Sequence, residues 1–156
     1  MRKQIVPQSR SNFENERDWL DLSSLAQVEI TSEDPSHPIE SALQPGGGPG
    51  WRAAEPGKQV VRLLFDQPLS IRRIQLAVSE EKRARTQEFV LRWSQDQGRS
   101  YREIVRQQFN FNPPGTSREQ EDYTVDLTGV TSLELEITPD IAGSDAAAAL
   151  SRLRIG

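Results

Sequence analysis

The chain has 156 residues, enough for one domain with a real core, and a net charge of −4 that argues against general affinity for nucleic acid. It has no cysteine, which excludes disulfides, thiolate nucleophiles and Cys-held metals. No run reaches the roughly 18 apolar residues that a membrane helix needs, and "MRKQIVPQSR" lacks the apolar stretch of a signal peptide; both predict a cytoplasmic protein.

Residues 1–24 read as an arm, and residues 25–156 as one domain. Within the arm, "SNFENERDWLDLSSL" predicts a short helix, with Ser11 or Asn12 as its cap and Phe13 and Trp19 as its anchors. The pattern then changes to period two. "AQVEI", "KQVVRLLF", "SIRRIQLAV", "TQEFVLRWS", "YREIVRQQFNF", "EDYTVDL", "SLELEI" and "SRLRI" all read as strands, in chain order. In "SLELEI", Leu133, Leu135 and Ile137 point in while Glu134 and Glu136 point out. Phe89, Leu91 and Trp93 share an inward face, and at least one of Phe109 and Phe111 packs inward. Turn signals such as "DQP", "SQDQG", "NPPG" and "LTG" separate these segments, and the alanine run 146–149 reads as the approach to the last strand. Eight strands without a long helix or an internal repeat predict an antiparallel sandwich or barrel.

The glycine-rich stretch "LQPGGGPGW" fails as a phosphate cradle. It leads into a strand, so no helix N-terminus is aimed at an anion, and it lacks the Lys-Ser/Thr pair of a nucleotide loop. The single imidazole, His37, sits in a Pro-rich loop and cannot by itself make a triad or a metal site. Nothing singles out a pair of acids for glycoside hydrolysis, so no catalytic residue is assigned and the chain reads as a non-enzyme. Trp51 has two readings: a buried plug, favoured because the chain runs from it straight into a core strand, or an exposed platform for a sugar ring. Residues 72–106 hold nine Lys/Arg against five Asp/Glu, which permits an anionic ligand and is equally what a solvated face looks like.

The order of these motifs resembles the discoidin family, the coagulation-factor C-domain type. "LAQVEITSEDPSHPIESALQPGGGPGWRA" is similar to the family's first strand ending in Ser32, variable loop, Ala42-Leu43 pair, turn and tryptophan. "KQVVRLLFDQPLSIRRIQLAV" resembles its long strand pair, and "EFVLRWSQDQGRSYREI" its aromatic strand and hairpin, with Gln97 inserted between Asp96 and Gly98. "SLELEITPD" and "AALSRLRI" resemble its closing strands, so the likeness spans residues 25 to 155. The resemblance implies an eight-stranded jelly-roll β-sandwich of the galactose-binding-like kind.

It also implies a ligand end formed by loops 31–38 and 79–86, with His37, Arg83 and Arg85 as ligand-binding candidates and Arg52 from the adjoining turn. Each of these is singly as well read as an ordinary surface charge. The implied function is a non-catalytic recognition module for carbohydrate, with an intracellular domain docking a protein partner as the alternative. The loops are short and charged, so membrane insertion is not expected. Relatives' structural calcium is not expected either. Gln44-Pro45, Gly50 and Arg152 stand at its ligand places, and Arg152 is read as donating to the carbonyls a metal would draw together. No cofactor is assigned.

Overall fold

The computed structural model describes residues 2–3 and 19–156. The helix expectation built on Ser11, Asn12 and Phe13 lies outside them. Within the described part, Asp21 caps a single turn, α1 (Leu22–Leu25), by accepting from the Ser23 amide at 3.2 Å. Leu22 is buried in the core, the Leu20 amide donates to the Ile155 carbonyl at 2.7 Å, and Arg73 lies 4.8 Å over the half-buried Trp19 ring.

Eight strands follow: β1 (Ala26–Ile30), β2 (Trp51–Pro56), β3 (Gln59–Ser79), β4 (Arg85–Ser94), β5 (Arg102–Phe111), β6 (Arg118–Thr138), β7 (Ala147–Leu150) and β8 (Arg152–Ile155). One further turn of helix, α2 (Glu40–Leu43), stands between β1 and β2. The main sheet runs β1-β3-β6-β4-β5 with β8 also paired to β3, and β2 pairs with β7 in a separate ribbon. Every pairing is antiparallel.

The number of strands agrees with the sequence reading, but their composition differs. "KQVVRLLF" and "SIRRIQLAV" are one hydrogen-bonded strand of 21 residues, and so are "EDYTVDL" and "SLELEI". β3 pairs through residues 59–64 with 132–137 of β6, and through 71–79 with 118–127, with register shifts between. At those shifts the inward phase of β3 changes, from Val61, Leu63 and Phe65 to Ile74, Leu76 and Val78. A strand that slips phase at a bulge can turn a corner and feed a second layer. "DQP" and "LTG" are therefore corners of continuous strands. The two missing strands are made up by β2 and by β7, the alanine run, which is itself a strand.

Side chains from both layers meet in one core that includes Trp51, Leu63, Ile74, Phe89, Leu135 and Leu153. Leu133, Leu135 and Ile137 point in as expected; Phe111 is buried, while Phe109 and Trp93 are half-buried against the core. Outside, Arg62 of β3 reaches Glu29 of β1 at 3.2 Å and Glu134 of β6 at 2.8 Å, and Arg92 of β4 reaches Glu134 at 3.0 Å. Neighbouring strands thus carry alternating charge on their outer face, which favours their register. Among the described residues no helix is long and apolar enough to cross a membrane.

Candidate ligand-binding cleft

The glycine stretch explains how one end of the sandwich is built. Gly50 has φ +82°, and a Cβ there would lie 2.8 Å from the Leu150 carbonyl oxygen, so only glycine lets β2 start this close to β7. Its amide donates to Ser41 Oγ at 2.9 Å, which ties the turn to α2. Trp51 then pairs with Leu150, and both are essentially inaccessible to solvent (1% and 0% exposed). The indole Nε1 donates to the Ser32 carbonyl at 3.1 Å. Trp51 is the buried plug, not a stacking platform.

Around this plug the loop 31–38 is pinned to β2. The Asp34 amide donates to the Arg52 carbonyl (2.8 Å), and the Arg52 amide donates to the His37 carbonyl (3.2 Å). Ser32 Oγ and Thr31 Oγ1 both donate to the buried Gln59 Oε1, at 2.7 and 2.6 Å. The Ile39 amide is held by Glu33 Oε1 at 2.6 Å. These bonds fix His37 beside Arg52, whose cross-strand neighbour is the small Ala149. Across the gap, the Glu80 amide donates to the Ser117 carbonyl (2.8 Å) and the Ser151 amide to the Ala77 carbonyl (2.8 Å). A cleft of about 160 Å³ results. Pro49, Trp51, Ala149 and Leu150 supply its apolar lining, and His37, Arg52, Ser79, Glu80, Glu81, Lys82 and Ser151 its polar lining.

Of the four candidates taken from the sequence, His37 and Arg52 come together in this cleft. Arg83 does not line it; its Nη1 is 2.9 Å from Asp145 Oδ1 on the surface. Arg85 is buried, which corrects its reading as a loop residue. β4 begins at residue 85, so its side chain takes the inward phase shared by Gln87, Phe89 and Leu91. Its Nε donates to Glu80 Oε1 (2.7 Å), its Nη1 to the Pro139 carbonyl (2.7 Å) and Gln87 Oε1 (3.2 Å), and its guanidinium lies 4.6 Å over Phe111. Arg85 supports the 80–82 loop from below. Lys82, Glu81, Ser79 and Ser151 were not singled out; the first three lie in or beside the loop flagged as a whole, and nothing in the sequence marks Ser151.

The acids at this end differ in state. Burial alone would raise Glu80, but the hydrogen bond and charge of Arg85 outweigh it and hold its carboxyl below the ordinary glutamate value. Behind it, Glu119 is fully buried and accepts from Gln87 Nε2 at 3.0 Å, while its Oε2 has no hydrogen-bond partner among the described residues. Burial, aided by the charge of Glu121, pushes the Glu119 carboxyl up to about 7.

At the place where the resemblance sets a calcium ion, an arginine is found, but not the expected one. Arg152 is exposed, whereas Arg154 is 6% exposed and donates through Nη1 to the Ala42 and Leu153 carbonyls, both at 3.2 Å, and through Nη2 to the Gln44 carbonyl. Both arginines lie on one face of β8, and α2 covers only the second. A calcium ion does not fit here, because a guanidinium already holds the Ala42 and Gln44 carbonyls that would have to face it.

No family model and no curated protein matches the chain. Several solved structures share its architecture. A family 32 carbohydrate-binding module from a family 31 glycoside hydrolase of Clostridium perfringens superposes with a TM-score of 0.60 at 15% identity, covering 96% of this chain and 98% of that one. Another C. perfringens family 32 module, solved in complex with galactose, gives 0.58 at 13% identity over 88% and 96%. A pectin-binding carbohydrate-binding module gives 0.56 at 15% identity over 85% and 90%. Together with the strand order, this likeness establishes the architecture: the chain has the discoidin-type, galactose-binding-like jelly-roll fold.

Proposed function

We propose that the chain is a non-catalytic carbohydrate-recognition module that takes a saccharide in the cleft between His37, Arg52 and the 79–82 loop. One observation carries the reading. Two loops far apart in sequence, each pinned by backbone and buried side-chain bonds, bring polar side chains together beside the small accessible apolar surface of Pro49 and Ala149 at one end of the sandwich. A mostly polar cleft with a little apolar surface suits a small ligand rich in hydrogen-bonding groups, and a saccharide is edged with hydroxyls. That the structural neighbours named above include modules described as binding pectin or galactose supports the same ligand class for this chain. The state of Glu80 supports a binding role over hydrolysis, since a carboxyl held ionised by Arg85 is a poor general acid.

A glycan array combined with amide chemical-shift mapping tests the proposal. The expected result is retention of at least one glycan class, with shifts clustered at residues 34–37, 51–52 and 79–82. Retention of no glycan, together with a protein partner mapped to the same residues, would overturn it in favour of a protein-docking module.

A further inference from the structure

We infer that the saccharide taken by this cleft is an acidic one, carrying a carboxylate or sulfate group, and that Arg52 and Lys82 recognise that group; this rests on the carbohydrate reading above. The first observation concerns what the cleft lacks. Neutral sugars gain much of their affinity by laying an apolar face on an exposed aromatic ring. Trp51, the one aromatic in the lining, is 1% exposed and offers no ring face. Binding must then depend on hydrogen bonds, and the strong ones are those assisted by charge.

The second observation concerns which charges remain available. Arg62, Arg72, Arg83, Arg85, Arg92 and Arg106 each lie within 4.0 Å of a carboxylate. Arg52 and Lys82 are exposed, line the same cleft, and have no acidic partner among the described residues. The opposing acids do not cancel them. Glu80 is held by Arg85 at 2.7 Å and by the Lys82 amide at 3.1 Å, and only 13% of its side chain is exposed. Asp34 lies 3.5 Å from His37 Nδ1, outside the lining. Glu81 is the one acid of the lining without a partner among the described residues, and exposed Arg118, which donates to the lining residue Ser79 through its Oγ at 3.3 Å, adds a further positive charge beside the cleft. The lining itself balances Arg52 and Lys82 against Glu80 and Glu81, and the surplus positive charge comes from Arg85, which neutralises Glu80 from beneath. Guanidinium matches the paired oxygens of a carboxylate or sulfate, and an ammonium adds an adaptable point charge.

The test is a calorimetric titration of the full chain with four probes. They are an oligogalacturonate, its neutral methyl ester, a sulfated galacto-oligosaccharide and the unsulfated form of the same sugar. We expect at least one charged probe to bind about tenfold or more tightly than its neutral counterpart, with that advantage shrinking as salt rises from about 0.05 to 0.5 M. Which charged probe binds then distinguishes carboxylate from sulfate. Arg52→Gln and Lys82→Gln should each weaken the charged probe about fivefold or more, while Arg99→Gln, an equal charge change on the far hairpin, should not. Equal, salt-independent affinity for charged and neutral probes would overturn the acidic assignment and leave the carbohydrate reading standing. Equal loss in all three variants would overturn the local recognition. Binding of none of the four, with an array that retains no glycan, would overturn the carbohydrate reading itself.

Discussion

The two ends of the sandwich are built from similar residues and put them to opposite uses. At the far end, the hairpin between β4 and β5 binds its polar groups to one another. Asp96 accepts from Ser94 Oγ (2.7 Å), the Ser100 amide (3.0 Å) and Ser100 Oγ (2.6 Å). Gln95 donates to the Thr128 carbonyl, the Gln97 amide to Thr131 Oγ1, and Tyr101 shares a bond with Ser132. Even Trp93, half-exposed there, has the Arg102 guanidinium 5.6 Å over its ring. At the cleft end Gln59, Ser41, Arg85 and Glu80 are equally committed, yet among the described residues Arg52, Lys82 and Glu81 at the rim have no side-chain ion pair or hydrogen bond. The far end has a hollow of its own, about 190 Å³ beside Trp93 and Arg102, but most of the hydrogen-bonding groups around it bond to one another, whereas the cleft end fixes its foundations and leaves its rim to a ligand.

The largest expected effect falls on the foundation of the cleft. Trp51→Ala should cost about 3–5 kcal/mol, as large-to-small changes in a packed core do, and should abolish ligand binding along with the pairing of β2 and β7. Chemical denaturation checks the first part; wild-type stability with binding alone lost would mean that the indole faces the ligand. Next comes the cation beneath α2. Arg154→Ala leaves the Ala42 and Gln44 carbonyls without their donor and should cost about 1–3 kcal/mol, lowering the melting temperature by several degrees. Arg152→Ala should change it little, and neither calcium nor chelator should move the melt of the native chain. A rise with calcium would show that the metal binds despite the guanidinium.

The far end should respond in the opposite sense. Asp96→Ala should lower the melting temperature by a few degrees and leave ligand affinity unchanged, which thermal melts and calorimetry on the same sample can separate. Its carboxyl is held far below the ordinary aspartate value, first by the Ser100 hydroxyl and then by Ser94. That contribution is present above the unfolded value of 3.8 and is lost as pH falls through the folded one. Glu119, near the cleft, has the opposite sign. Its folded pKa is raised from 4.5 to about 7, so the native state is most favoured below 4.5 and loses that advantage as pH rises through about 7. Glu119→Gln should therefore match the native chain near pH 4.5 and melt higher than it above pH 7, the smallest effect of the set. Parallel melting curves across that range would show that the carboxyl is not penalised by burial.

Alternation and turn chemistry were enough to predict an antiparallel all-β chain, because inward and outward strand positions differ in polarity, as "SLELEI" shows. The resemblance carried by motif order then named the architecture that the structural neighbours share. Local pattern did not show that "DQP" and "LTG" are corners within continuous strands. A bulge and a turn use the same residues, and only the pairing partner across the sheet tells them apart. Nor did it reveal β2 or β7, whose partners lie about 100 residues apart in the chain. His37 and Arg52 were candidates only through the resemblance, which sets a ligand end at their loops. Arg85 was not separable from Arg83, because which of them faces inward depends on where β4 starts. Arg152 and Arg154 pose the same ambiguity on one face of β8, and α2 resolves it by covering only one. Residue type and period decide which side chains can serve. Tertiary packing decides which of them end up buried, since an arginine in a core and an arginine on a rim differ only in what lies over them.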